Sequence, residues 1–214
     1  MGAIFQSLGR TITAGVVVLV VLLAIARAIT GTWVPVAEHS WWQFALRWLH
    51  VTAGVMWIGL LWYFNFVQTP SMPKIPDEQK PAISKVIAPA ALFWFRWAAM
   101  ATIILGLILA WMNGYVGPAL MLQKGVLAIG LGMWLGIIMW FNVWFIIWPN
   151  QKKALGMIQV TPEEKTKAAR VAMLTSRLNT MLSLPMLYFM VAQPLACAGR
   201  RKRLPHLRNT RPNF

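Results

Sequence analysis

Five apolar stretches, near residues 12–33, 44–66, 88–112, 126–148 and 171–195, contain no Asp or Glu, and they limit what this chain can become more than any other feature. Each reaches the roughly 20 residues that a helix needs to cross about 30 Å of hydrocarbon. The expected fold is an all-α integral membrane bundle of about five transmembrane helices. It would occupy residues 1–196 and be followed by a basic tail, 197–214. The first stretch also fits a secretory signal, since Arg10 precedes the run Ala14 to Ala26 and Ala24-Ile25-Ala26 resembles a small-residue cleavage site.

The acids are Glu38, Asp77, Glu78, Glu163 and Glu164, all between the stretches, while the net charge is +15. A charge of that size invites a nucleic-acid reading, but the cations sit in loops and in the tail from Arg200 to Arg211, beside segments that only a bilayer accommodates. Anionic lipid headgroups are the better partner for them, and no nucleic acid is expected. Lys74, Lys80, Lys85, Lys152, Lys153, Lys165, Lys167 and Arg170 place the loops 67–87 and 149–170 in the cytoplasm. With five crossings the tail would then lie outside, against the same rule. Cys197 stands alone, so there is no disulfide framework, zinc quartet or C-x-x-C-H haem attachment.

The run M-W-I-G-L-L-W-Y-F-N from Met56 aligns without gaps on M-W-L-G-I-I-M-W-F-N from Met133, at an offset of 77 residues. Trp57 falls on Trp134, Gly59 on Gly136, Phe64 on Phe141, Asn65 on Asn142, and Arg47 on Lys124. Both copies run on to a Pro followed by two acids, then to a stretch with one early Arg, Arg96 or Arg177. A duplicated helix hairpin is expected, spans 2–3 and 4–5, with the copies parallel about the membrane normal. Thr161, Pro162 and Glu164 predict a helix start in water: an N-cap, a first-turn proline and a capping-box acid.

Only one histidine, His50, lies inside a stretch. At 100° per residue it shares a face with Arg47, Gly54, Trp57 and Leu61. That face suits half of a haem site: His50 as axial ligand to the iron, Gly54 leaving room, Trp57 as a flat wall, and Arg47 or Lys124 near the propionates. A polar residue hydrogen-bonded inside the bundle, or reaching the interface beside Trp41, Trp42 and Trp48, fits the same pattern. A second polar layer is expected from Asn65, Arg96, Asn142, Arg177 and Asn179, with each Asn near an Arg at one depth. Ser176, Asn179, Thr180, Ser183 and Pro185 should face the bundle. Among the 13 tryptophans, the repeat-matched Trp57 and Trp134 are the ones least explained by interfacial preference. The absence of intramembrane acids disfavours a carboxylate-based transporter.

The stretch Leu46-Arg47-Trp48-Leu49-His50 to Gly59, with Trp62-Tyr63-Phe64-Asn65-Phe66, Phe95-Arg96-Trp97 and Ser176-Arg177-Leu178-Asn179-Thr180, resembles the urate oxidase N-terminal family. These are the membrane domains of bacterial membrane-bound urate hydroxylases, many with a fused cytochrome c. The resemblance covers roughly residues 40 to 195. It implies a redox role in a bacterial inner membrane, with urate as the substrate class in the fused members. Taken with the His50 face, the first expectation is an oxidoreductase subunit that holds haem b and exchanges electrons with a periplasmic cytochrome c or a quinone. A non-catalytic scaffold or accessory subunit is the alternative.

Overall fold

The computed structural model describes residues 2–32 and 35–192; the expected tail 197–214 and Cys197 lie outside the described residues. Two units are distinguished, Met1–Ala45 and Leu46–Phe214. Among the described residues four helices are long and apolar enough to cross a membrane. They are α1 (Leu8–Thr30), α2 (His39–Lys74), α3 (Lys80–Met112) and α4 (Leu127–Ala154). A further helix, α5 (Pro162–Val191), is 30 residues long but more polar. The chain is therefore an all-α protein of membrane-bundle character.

In the first unit, α1 has no buried residue. It ends where Gly31 takes a left-handed φ of +69° and donates its N–H to the Arg27 carbonyl. In the second unit the core joins Trp57, Leu61 and Phe64 of α2 to Leu92, Phe95 and Ala99 of α3, Met139, Val143 and Ile147 of α4, and Met186 of α5. Lipid is as apolar as this core, so close packing and interhelical hydrogen bonds hold it, not exclusion from water. The start of α5 follows its sequence signal. The Thr161 side chain accepts the Glu164 N–H at 3.2 Å, and Pro162 opens the helix.

The helices run past the apolar stretches. The expected loop 67–87 is helical as far as Lys74 and again from Lys80, leaving only 75–79 as the break. The apolar stretches end before the helices do, and at three prolines the helix continues by widening. Three π-helical turns, Tyr63–Gln68, Ile83–Ile87 and Asn142–Ile147, stand just before Pro70, Pro89 and Pro149. In each, the residue before the proline donates its N–H five residues back: Thr69 to Phe64, Ala88 to Ile83, and Trp148 to Val143. A proline in a regular helix collides with the carbonyl four residues earlier and offers no N–H. The wider turn relieves the collision while keeping neighbouring backbone groups bonded.

Between α3 and α4 a short helix, Val116–Leu120, packs against α4 at Gly130, where a Cβ would strike the Ala119 carbonyl group. Trp134 donates its indole N–H to the Leu120 carbonyl at 3.0 Å, closing the end of that helix. Gly130→Ala should therefore destabilise the domain by about 1–3 kcal/mol, the usual cost of overpacking. Gly59→Ala, with nothing within 4 Å of its Cβ, should be neutral or slightly stabilising. Thermal unfolding of the two variants in one detergent compares them; equal midpoints would remove the close approach.

Candidate functional site

The face of α2 that carries His50 lies on α3. Thr102 and Gly106 stand one turn apart on α3, and the imidazole rests where Gly106 has no side chain: a Cβ there would come within 2.8 Å of the ring Cε1. His50 Nδ1 is 2.9 Å from the Thr102 carbonyl oxygen. A carbonyl can only accept, so Nδ1 carries the proton and Nε2 keeps its lone pair. A backbone carbonyl behind Nδ1 is the usual orienting partner of a metal-binding histidine. Gly54 faces the Thr102 methyl, which a Cβ would meet at 3.8 Å. Deeper along the same face Trp57 and Leu61 are buried, while Arg47 is exposed at the other end.

Arg47 lies close enough to Tyr115, in the connection after α3, for its charge to act on the phenol. Burial pushes the Tyr115 hydroxyl above its ordinary range, and Arg47 partly opposes it. Lys124 is exposed in the same α3–α4 connection. No group of three or more His, Cys, Asp or Glu that could hold a metal ion occurs among the described residues.

The second polar layer is built around α5. Asn65 donates to Ser176 Oγ at 2.8 Å and to the Leu61 carbonyl at 2.9 Å. Asn142 donates to Asn179 Oδ1 at 2.8 Å, and Asn179 donates in turn to the Met139 carbonyl at 2.9 Å. Trp62 Nε1 donates to Ser183 Oγ at 2.9 Å, and that hydroxyl donates in turn to the Thr180 carbonyl at 2.7 Å. The polar stretch of α5 thus faces inward and ties both α2 and α4.

The expected pairing of each Asn with an Arg does not occur. Azimuth was not legible: α5 presents Ser176 and Asn179 to the asparagines, while Arg177 between them points outward and is exposed. Arg96 is buried, only 9% exposed, and lies over the Trp148 ring, 3.3 Å from its centroid. Trp57 and Trp134 also part company, at 1% and 42% exposure. Thr102 and Gly106 were missed, and their spacing, small residues one turn apart, was the available signal.

A bundle of membrane-crossing helices with an internal polar layer defines an integral membrane domain. Residues 124–202 match the family described as urate oxidase N-terminal. The match takes in α4 and α5, with Lys124, Asn142, Arg177 and Asn179, and lies beyond Arg47, His50, Gly54, Trp57, Asn65 and Arg96. No curated protein and no solved structure matches the chain.

Asn179 is fully buried, and Asn179→Ala leaves Asn142 and the Met139 carbonyl without their shared partner. A loss of about 1–3 kcal/mol is expected, the cost of a buried unsatisfied group. Arg177→Ala should change stability little. Reversible unfolding in mixed micelles measures both, and a loss at Arg177 as large as at Asn179 would contradict the assignment of the tie to α5.

Proposed function

We propose that this protein is a redox subunit of a bacterial inner membrane, an oxidoreductase component of the urate-oxidising class, in which His50 would ligate haem b. Electrons would pass to a periplasmic cytochrome c or a quinone. The single supporting observation is the His50 ring, held by the Thr102 carbonyl with Nε2 left basic. That donor chemistry fits one axial position of a haem. Arg47 and Lys124 would offset the propionate charge, and Trp57 would close the apolar side. The haem, when bound, supplies one-electron transfer at a potential set by its ligand and surroundings. The chain's own residues do the rest: Thr102 fixes the tautomer, Gly106 fixes the ring's position, and the apolar helices limit water.

The proposal includes α5 as a fifth crossing and α2–α3 and α4–α5 as parallel copies of one hairpin. In support, α2 and α4 both place a π-turn immediately before a proline. The register of that turn follows the proline and not the repeated motif: it begins at Tyr63, ahead of Asn65, but at Asn142 itself. A non-catalytic accessory subunit is the second candidate, favoured by the many side chains of α5 that serve as interhelical ties. A transporter is least supported, because no acid lies within an apolar helix.

Purified protein expressed with ample haem should show a Soret band, and urate should be consumed when an electron acceptor is present. His50→Ala should abolish the band and leave membrane insertion intact. Arg47→Ala should shift the midpoint potential without loss of haem. Gly106→Ala, which crowds the ring, should shift the spectrum of whatever haem remains. A wild-type protein with no Soret band would leave the accessory subunit as the function.

A further inference from the structure

Among the described residues Arg96 is a buried cation with no anion beside it. Arg96 is nine-tenths buried on α3, and its Nη1 is enclosed without a hydrogen-bond acceptor. Its guanidinium lies over Trp148, and Lys152 Nζ stands 5.6 Å from the centroid of the same ring. The indole satisfies the face of the guanidinium, but a ring offers nothing to its in-plane N–H donors. Among the described residues neither Arg96 nor Lys152 forms an ion pair with a carboxylate. The five acids of the sequence all lie outside the apolar stretches, so a second copy of the chain brings no intramembrane carboxylate either. An anion supplied by another molecule would complete the arrangement.

Position indicates which kind. Trp148 is about 9 Å of helix from the end of α4 at Ala154, within reach of the headgroup layer. Lys152 and Lys153 stand in the last turn of that helix, where cations also complement its dipole. A planar guanidinium with a nearby ammonium matches an anion with several oxygens, and the indole provides a flat floor beneath it. We propose that Arg96, Trp148 and Lys152 form an oxyanion site that accepts a phosphate group, from an acidic phospholipid or from a free phosphate-like anion, on the side of the membrane where α4 ends. The site is independent of His50 and of any haem.

Two probes test it on the full chain. In the first, protein reconstituted with phosphatidylglycerol or phosphatidylcholine is returned to detergent, and retained lipid is counted by native mass spectrometry. In the second, inorganic phosphate is titrated at constant ionic strength while thermal stability is followed. Retention of phosphatidylglycerol over phosphatidylcholine, or a phosphate-dependent rise in melting temperature, is expected. Arg96→Gln should reduce the response roughly ten-fold, as loss of a charge-assisted pair of bonds does. Lys152→Gln, which does not empty a buried position, should reduce it several-fold, and Arg177→Gln should not. A response to either probe that falls in both variants upholds the site, and the probe that responds names the source. Equal retention of the two lipids with no phosphate effect, or any response that survives both substitutions, overturns it.

Discussion

Backbone polar groups inside hydrocarbon have no water to fall back on, and each must find its partner within the protein. Every proline placed in a membrane helix withdraws one donor and threatens one carbonyl. At Pro70, Pro89 and Pro149, within α2, α3 and α4, the chain places a π-turn just ahead of the proline, with bonds that reach five residues back. Long helices survive where a simple reading of Pro would end them. On those continuous helices the chain then sets its polar side chains, and α5 collects the resulting hydrogen bonds through Ser176, Asn179 and Ser183.

What could be read from sequence followed the chemistry that acts along one axis. The absence of acids and the length of the apolar runs located the helices, and the N-cap at Thr161 located the start of α5, because both signals are local. The face of α2 bearing His50 was also legible from 100° periodicity. Its neighbour was not, since Thr102 and Gly106 lie on another helix and only packing brings them together. The polar layer shows the same limit. The side chains that face Asn65 and Asn142 depend on helix rotation, which the letters Asn and Arg do not encode.

Repeated motifs did not secure repeated surroundings. Trp57 is enclosed by the bundle, whereas Trp134 lies toward the outside and bonds the end of a short connecting helix. Arg96 and Arg177, each an early Arg in its stretch of sequence, are respectively buried over an indole and exposed. Likeness of sequence between two segments does not fix their neighbours, and the neighbours decide what each side chain can do.

The π-turns have a further bearing on how chains of this kind diverge. Each wide turn amounts to about one residue added to a helix without breaking it, and one residue rotates everything beyond it by about 100°. A relative lacking such a turn would present a different helical face to the bundle downstream of Gln68, Ile87 or Ile147, although its loops and overall length were nearly unchanged. Single-residue gaps between family members are therefore to be placed within the helices, beside the prolines, and not in the connections where gaps are customarily put.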